Sequence, residues 1–196
     1  PIDENHLLDP INFYGFTKLI IENLLHWYSR LRSIRFTALR YFNAAGYDLY
    51  GRIRELEKNP ANLLPIIMET GTGKRHSMKV FGDDYDTHDG TCIRDYIHVT
   101  DLAISHVAAL EYIQNNKENL ILNLATGKGY SVLDIIKCSE KIIGKKIVFD
   151  IVKRRKGDPE KLVAISTLAK KKINWTAQFS NIETIIQSMW NVYNKH

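Results

Sequence analysis

Tyr14 and Lys18 are the residues whose types and spacing point first to chemistry. They open an apolar segment that runs to Leu31, and in a helix the i, i+4 spacing places both side chains on one face. An ammonium held beside a phenol hydroxyl favours the phenolate. A tyrosine tuned in this way can exchange a proton with a hydroxyl group near neutral pH. The same short pattern also arises by chance on solvated helix faces, so the pair gains meaning only from its surroundings.

The elements around this pair are predicted from the spacing of apolar residues. Residues 1–12 are polar with two prolines and indicate a loop. The helix that begins near Tyr14, with Asn12 or Asn5 as its cap, carries two apolar stripes and is expected to be buried on two sides. A β-branched and aromatic strand follows at 34–42. Further helices are predicted at 62–70, 101–114, 131–143, 166–172 and from 180 onwards, and further strands at 78–81, 93–99, 120–125 and 146–152. This alternation is typical of an α/β fold.

Three polar residues are expected to cap helices. Thr100 precedes the helix predicted from residue 101 and is a preferred cap residue. Ser131 and Ser180 are each followed three residues later by a carboxylate, which is the pattern of a capping box. These caps predict where the helices of the second half of the chain begin.

Asn43 and His98 each have a functional and a structural interpretation. Asn43 follows a strand, and ligands in open α/β sheets bind beyond the carboxyl ends of strands. Asparagine is also a common turn residue. His98 lies in an alternating apolar strand. We interpret it as a hydrogen-bonded interior residue, or one behind the site, in preference to a catalyst.

The bulk composition excludes several classes of protein. With 196 residues, 44% apolar and 25% charged, the chain can form one sizeable domain, or a large domain with a small lobe. No apolar run is long enough to span a bilayer, and the acidic, polar start is no signal peptide. We therefore expect a cytoplasmic protein without a membrane partner. Cys92 and Cys138 fit no metal-ligand spacing and are expected to be buried thiols in a reducing compartment.

Clusters of like charge allow more than one partner. The formal net charge is +5, and the basic runs at 153–156 and 170–172 would suit nucleic acid or an anionic membrane. They suit a small phosphorylated ligand equally well, and we expect no nucleic-acid partner. Four aspartates between residues 83 and 89 suggest calcium, but their spacing misses the EF-hand pattern. We predict a solvated loop and no metal site.

Several segments resemble one known family in order and content. The chain is similar throughout to UDP-glucose 4-epimerases, which belong to the extended short-chain dehydrogenase/reductase family. The block at 89–99, Asp-Gly-Thr-Cys-Ile-Arg-Asp-Tyr-Ile-His-Val, is far more specific than Tyr-x-x-x-Lys. The other segments that carry the resemblance are Pro-Ile-Asp-Glu (1–4), Tyr-Gly-Phe-Thr-Lys (14–18), Leu-Arg-Tyr-Phe-Asn (39–43), Asn-Leu-Leu-Pro (62–65), Val-Phe-Gly-Asp-Asp-Tyr (80–85) and Arg-Arg-Lys-Gly-Asp (154–158).

The resemblance implies a fold. It predicts an α/β chain with an incomplete Rossmann-like, doubly wound parallel sheet and a smaller α/β substrate-binding lobe. Residues 1–60 would be the C-terminal remainder of the NAD-binding Rossmann domain. Residues 61–196 would be mainly the UDP-sugar-binding lobe, with some segments returning to the Rossmann sheet. The apolar helix after Tyr14 would pair across a homodimer interface in the complete protein.

The resemblance also implies an activity and its residues. The family interconverts UDP-glucose and UDP-galactose with bound NAD: C4 of the sugar is oxidised, the 4-keto sugar rotates in the site and C4 is reduced again. Tyr14 would be the catalytic base and Lys18 would bind the nicotinamide ribose. Tyr41 and Phe42 would lie beside the nicotinamide. The expected UDP-sugar contacts are Asn43, Asn62, Leu63, Val80, Phe81, Arg94, Arg155 and Asp158, with Leu162 lining the sugar pocket.

One departure from the family pattern matters as much as the match. The family opens with a strand, a Gly-x-x-Gly-x-x-Gly turn and a helix that hold the NAD pyrophosphate, and this sequence contains none of them. We therefore expect a fragment that is inactive alone. Two alternatives remain: a different nucleotide-sugar epimerase, dehydratase or decarboxylase of the same family, and an inactive remnant that binds a UDP-sugar or a partner chain.

Overall fold

The computed structural model describes residues 1–195, in which helices and strands alternate. The helices are α1 (Phe13–Arg32), α2 (Leu63–Thr72), α3 (Val99–Asn116), α4 (Val132–Ile143), α5 (Thr167–Ile173) and α6 (Ile182–Tyr193). The strands are β1 (Thr37–Tyr41), β2 (Asn43–Ala45), β3 (Met78–Phe81), β4 (Ile93–His98), β5 (Leu120–Leu124), β6 (Gly129–Ser131), β7 (Phe149–Val152) and β8 (Lys161–Leu162). This order confirms the predicted α/β class.

The strands pair mostly in parallel. β1 pairs with β5, starting with Thr37 opposite Leu120, and β3 pairs with β7. β4 lies between β2 and β6 and also pairs with β8; of these three neighbours, β6 is the antiparallel one. Each parallel pair is separated along the chain by at least one helix, as parallel connections require. Within residues 1–195, the second edge of β1 has no partner strand.

Two clusters of buried apolar side chains stabilise these layers. The larger cluster joins α2, α4 and α6 with β3, and Ile67, Ile135 and Ile185 in it are fully buried. The smaller cluster joins α3, α5 and β5, with Leu122 and Trp175 among its buried members. The sheet and its helices therefore share interiors of the kind that hydrophobic burial stabilises.

Helix α1 is packed differently from the other long helices. Asn12 caps it by accepting a hydrogen bond from the Gly15 N–H at 2.9 Å, as predicted. Along its length Ser29 is the one buried residue, while Leu24 and Trp27 are 49% and 58% exposed. The expectation of burial on two sides is therefore wrong for this chain, because the described residues provide no cover for the apolar face.

Polar contacts and one ring contact hold α1 against the rest of the chain. The Arg40 Nε on β1 donates to the Glu22 carboxylate at 2.9 Å. The His26 ring meets Phe36 edge-on, with ring centroids 5.1 Å apart. At the end of the helix, Ser29 accepts a hydrogen bond from the side chain of Asn119 at 2.7 Å.

Two helix starts differ from the sequence prediction. His98 caps α3 in place of Thr100, because the His98 Nδ1 accepts from the Thr100 N–H at 3.0 Å. Asn181 caps α6 in place of Ser180, whose buried hydroxyl donates to the Asp101 carboxylate at 2.6 Å. The predicted capping box of α4 is confirmed. At α3 the neighbouring His98 side chain takes the cap position. At α6 the distant Asp101 carboxylate engages Ser180, and Asn181 caps the helix instead.

Smaller corrections concern strand lengths and the thiols. The strand predicted at 34–42 is shorter and continues as β2 after a break, and the one predicted at 146–152 begins at Phe149. Cys92 and Cys138 are free and half-buried, where buried thiols were expected. None of the described helices is both long and apolar enough to traverse a bilayer.

Candidate active site

A cavity of about 800 Å³ gathers most of the predicted site residues. It lies where β2 and β4 meet the start of α1 and the start of α2. The predicted residues that line it are Tyr14, Tyr41, Phe42, Asn43, Asn62, Leu63, Arg94, Asp158 and Leu162. Residues separated by almost 150 positions in the sequence therefore face one space.

A second cavity, of about 220 Å³, adjoins the first. Val80, Phe81 and Arg155 line it, together with five predicted residues that border both cavities. The shared residues are Asn43, Asn62, Leu63, Arg94 and Asp158. Lys18 is the predicted site residue that lines neither cavity.

Strand β4 fixes the geometry between the two cavities. On one side Tyr96 of β4 is the register partner of Asn43 on β2. On the other side Arg94 is the register partner of Leu162 on β8. Because neighbouring strands are held about 4.8 Å apart by their hydrogen bonds, these residues have fixed relative positions.

Tyr14 and Lys18 lie one turn apart on α1, as the spacing predicts. The Lys18 Nζ lies over the Tyr14 ring, 4.9 Å from its centroid, and not beside the hydroxyl as expected. Tyr14 is 71% exposed. The pair therefore stands at the open rim of the larger cavity, in contact with solvent.

Asn12 connects the start of α1 with the basic loop on the far side of the cavity. Its side-chain oxygen caps the helix, and its side-chain nitrogen donates to the Gly157 carbonyl at 3.4 Å. One amide thus joins the helix of Tyr14 to the loop that carries Arg155 and Asp158. Sequence reasoning named Asn12 as a cap but gave no signal for this second contact.

Two guanidinium groups make the smaller cavity suitable for an anion. The Arg155 guanidinium lies over the Phe81 ring, 3.8 Å from its centroid. Arg94 is half-buried and donates from Nη1 to the Ile93 carbonyl at 2.8 Å. A planar guanidinium group can bind two phosphate oxygens at once through parallel N–H groups, so this end of the site is suited to a phosphorylated ligand.

Asp95 supports the site from behind β4. It is fully buried, and its carboxylate accepts hydrogen bonds from the N–H groups of Thr126 and Gly127, both at 3.0 Å. Burial raises the pKa of Asp95, and these hydrogen bonds oppose that effect. Asp95 therefore ties β4 to the turn after β5 and does not contact the cavities.

His98 is an interior residue, in agreement with its sequence interpretation. Its ring is fully buried, and besides accepting from Thr100 it lies 3.2 Å through Nε2 from the Ser188 Oγ. Burial lowers the pKa of His98, while the charges of Asp101 and Asp48 act in the opposite direction. The ring is therefore a neutral link between β4, α3 and α6.

Cys92 is a cavity residue that sequence reasoning missed. Its half-buried thiol lines the smaller cavity, and burial raises the pKa of that thiol. Its place in the specific 89–99 block, two residues before Arg94, was the available signal. Tyr47, Glu57 and other residues of the larger cavity carried no recognisable sequence signal.

The acidic loop is less solvated than expected. The Asp89 carboxylate accepts from the Thr91 N–H at 2.9 Å and from the hydroxyl of Ser131, the cap of α4. Ligand atoms of His88, Asp89 and Asp134 lie within 4.8 Å of one another. Both carboxylates are already engaged by Ser131 and by the His88 ring, so these contacts account for the cluster.

A further cavity of about 750 Å³ lies between the loop at 48–54 and α6. None of the predicted site residues lines it. The predicted residues therefore select the two adjoining cavities around β4 as the candidate active site.

The fold and the site together define an incomplete Rossmann-like α/β protein with an arginine-lined cavity next to an exposed tyrosine. A family profile described as GDP-mannose 4,6 dehydratase matches residues 1–189. The chain belongs to this family.

Individual relatives agree on a narrower similarity. The UDP-glucose 4-epimerase of Halalkalibacterium halodurans is 41% identical over 196 residues, which are 100% of this chain and 59% of the relative. The solved UDP-glucose 4-epimerase of Brucella ovis in complex with NAD has a TM-score of 0.93 and 41% identity, covering 98% of this chain and 59% of that one. The Bifidobacterium longum enzyme in complex with NAD⁺ and UDP has a TM-score of 0.89 and 39% identity, covering 100% and 58%. The chain thus spans about 59% of the curated relative's length.

The described residues fit one end of a dinucleotide better than the other. Tyr14, Lys18, Tyr41 and Phe42 are grouped near the rim of the larger cavity, where they suit a planar ring and its ribose. Tyr14 and Tyr41 are 71% and 48% exposed, so the described chain covers them only in part. The sequence has no glycine-rich turn for a pyrophosphate, so these residues could hold the ring end of a dinucleotide and not its pyrophosphate.

Proposed function

We propose that this chain carries the UDP-sugar-binding and proton-transfer parts of an NAD-dependent UDP-glucose 4-epimerase of the cytoplasm. The observation that supports this proposal is that Tyr14 lines the same cavity as Arg94 and Asp158. Arg94 and Asp158 also line the adjoining cavity, together with Arg155. A proton carrier at one end and an anion-binding pair at the other match a ligand with a sugar at one end and a diphosphate next to it.

The smaller cavity is the nucleotide end in this proposal. Arg94 approaches the diphosphate from β4 and Arg155 from the 153–158 loop, and charge-assisted hydrogen bonds of this kind are about twice as strong as neutral ones. The Phe81 ring offers an apolar face near them. Firm binding here leaves the sugar free to turn, so remote binding energy serves the reaction at C4.

The larger cavity is the sugar end. Tyr14 takes the proton of the sugar 4-hydroxyl and returns it after the sugar has turned over. Lys18 favours the ionised phenol, and Asn43 and Leu162 bound the sugar. Lys18, Tyr41 and Phe42 would hold the nicotinamide end of NAD, which would supply the hydride acceptor and donor for C4. The apolar face of α1 is the surface through which two complete copies form a homodimer.

A UDP titration of the purified chain tests the nucleotide end. Arg94→Ala and Arg155→Ala should each weaken UDP binding by roughly 10–150-fold, since a hydrogen bond to a charged group contributes about 1.5–3 kcal/mol. Lys156→Ala is the matched control, because Lys156 is exposed in the same loop and lines neither cavity. Equal affinities for all four proteins would reject the arginine assignment.

The sugar end requires a completed enzyme, made by joining this chain to the remaining part of a relative. Tyr14→Phe should lower kcat by at least ~10²-fold, the low end of general acid–base contributions, and leave UDP affinity intact. Tyr28→Phe is the control, because Tyr28 is exposed on the same helix outside the cavities. Near-normal kcat in Tyr14→Phe would show that another group moves the proton.

The chain alone should neither retain NAD nor turn over UDP-galactose, because it lacks a pyrophosphate-binding turn. Measured NAD content and an epimerisation assay check this. Clear turnover by the purified chain would contradict it. If the chain binds UDP but the completed enzyme turns over no substrate, the alternative of an inactive UDP-sugar-binding remnant is favoured instead.

Leu162 sharpens the substrate class. A pocket that discriminates by apolar volume gains about 1–3 kcal/mol, so a completed enzyme should prefer UDP-glucose and UDP-galactose and accept N-acetylated sugars slowly. Leu162→Tyr should abolish the slow activity and spare the main one. If both activities fall equally, Leu162 is a packing residue. A panel of other nucleotide sugars tests the alternative of a related epimerase or dehydratase.

A further inference from the structure

Arg154 makes a dense set of contacts outside the two cavities. Its guanidinium hydrogen-bonds the side chain and the carbonyl of Asp84. It also lies over the Tyr85 ring, 4.0 Å from the centroid. A single side chain thus joins the 153–158 loop to the 82–91 loop.

The ring beneath Arg154 is a rigid platform. Tyr85 is 5% exposed, and its N–H donates to the Gly90 carbonyl at 3.0 Å. Its hydroxyl is buried and has no hydrogen-bond partner among residues 1–195. The ring face, and not the hydroxyl, is therefore the part of Tyr85 in use.

Gly82 provides the space for this stacking. Its φ of +85° lies in the left-handed region, which residues with a side chain rarely adopt. A Cβ there would lie 2.7 Å from the Arg154 Cγ and 2.7 Å from the Tyr85 Cε2. The Gly82 N–H also donates to the Val152 carbonyl at 2.8 Å, so the stack begins directly where β3 and β7 end.

Arg154 and Arg155 are neighbours that stack on different rings. Arg154 lies over Tyr85, and Arg155 lies over Phe81 in the smaller cavity. Because Arg154 and Arg155 are joined by a peptide bond, holding the Arg154 side chain in place limits the directions that the Arg155 side chain can take. The Arg154 contacts therefore restrict where Arg155 can point.

We propose that Arg154 is a positioning residue that presents Arg155 to the nucleotide diphosphate. This inference rests on the proposed function, since it assigns Arg154 a part in that same site. The competing interpretation is an ordinary surface ion pair. Arg154 and Asp84 are 41% and 68% exposed, and such pairs contribute little to stability. The two interpretations differ in what happens to Arg155.

The first test is UDP titration of the full chain. Arg154→Ala should raise the UDP Kd about tenfold, and Tyr85→Leu should do the same because it removes the platform. Tyr85→Phe should bind UDP like the wild type, since it keeps the ring and loses a hydroxyl that bonds nothing. Melting temperatures of the variants, measured without UDP, show whether any loss reflects unfolding instead.

The second test observes Arg155 without any ligand. Stacking on Phe81 shifts the Arg155 side-chain resonances upfield through the ring current. In Arg154→Ala these resonances should move toward the values of an unstructured arginine, whereas in Tyr85→Phe they should not move.

The outcomes separate this inference from the proposed function. Unchanged Arg155 resonances in Arg154→Ala overturn the positioning role, even if UDP affinity falls, since Arg154 would then contact the ligand itself. A loss in Tyr85→Phe equal to that in Tyr85→Leu also overturns it. If the wild type does not bind UDP at all, the nucleotide assignment fails, and the resonance test still decides whether Arg154 orients Arg155.

Discussion

The α2–α4–α6 region and helix α1 show two ways in which one chain holds its elements. In the first region, side chains such as Ile67, Ile135 and Ile185 are fully buried in a common interior. In the second, Leu24 and Trp27 face solvent, and an ion pair, a ring contact and an asparagine hold the helix. The residues proposed to bind the nucleotide adjoin the first kind of structure, and Tyr14 lies on the second.

The two kinds of packing divide the candidate site into a part with buried support and a part without it. Hydrophobic burial stabilises without regard to direction, but it requires a complementary face. The residues proposed to bind the nucleotide have such support within this chain. The residue proposed to move the proton lies on a helix whose apolar face has no such cover among residues 1–195.

The strongest test of this contrast compares two apolar truncations. Ile185→Ala should lower the free energy of unfolding by about 2–5 kcal/mol, because it leaves a cavity in a closed interior. Leu24→Ala should change it by less than about 1 kcal/mol, since Leu24 is 49% exposed. Thermal unfolding measured at low protein concentration checks both. Equal losses would mean that α1 is covered in solution.

The next largest effect concerns association. The exposed face of α1 should make the chain self-associate non-specifically, since contiguous apolar patches seek cover. Leu24→Lys combined with Trp27→Lys should raise the apparent dissociation constant at least about tenfold, equivalent to about 1.4 kcal/mol. Sedimentation velocity measures this, with Ile53→Lys as an exposed apolar control outside α1. A wild-type chain that stays monomeric and melts cooperatively would contradict the prediction.

A pH titration examines the well-packed region through His98. Burial lowers the pKa of His98 in the folded state below the unfolded value of about 6.5. Its contribution to stability is therefore complete above about pH 6.5 and is lost as the pH falls toward the folded pKa, by at most about 1.4 kcal/mol per pH unit. His98→Gln should flatten this slope in urea unfolding curves. His76→Gln, at an exposed histidine, should keep it; a slope that survives in His98→Gln assigns it elsewhere.

The smallest effect is expected at Tyr14 itself. Because Tyr14 is 71% exposed, Tyr14→Phe should change the stability of the isolated chain by no more than about 0.5 kcal/mol. Calorimetry of this variant complements the kinetic test in the completed enzyme. A large loss of stability would show that the phenol has a structural partner and would weaken its assignment as a proton carrier.

Sequence alone predicted the α/β class and most element positions, because apolar periodicity records which faces are buried. It failed at the caps of α3 and α6. At α3 the His98 side chain accepts from the Thr100 N–H and so caps the helix two residues earlier than the sequence indicates. At α6 the Ser180 hydroxyl is engaged by Asp101, 79 residues away, and Asn181 is the cap. Such competition depends on tertiary contacts, which local spacing does not encode.

The candidate site shows the same division. The i, i+4 spacing correctly predicted that Tyr14 and Lys18 share a helix face, but it could not predict that the ammonium lies over the ring. The grouping of Arg94, Arg155 and Asp158 around one space was expected from resemblance, since no local pattern links residues so distant in sequence. Their roles, and the division of the chain at residue 60, stay predictions.

The open edge of β1 has a consequence for the chain before it meets any ligand. A strand with unpaired N–H and C=O groups on one side is a template on which a further strand can grow. A second chain that arrives there in extended form adds hydrogen bonds without having to displace any. At high local concentration, copies of the chain can therefore pair edge to edge along β1.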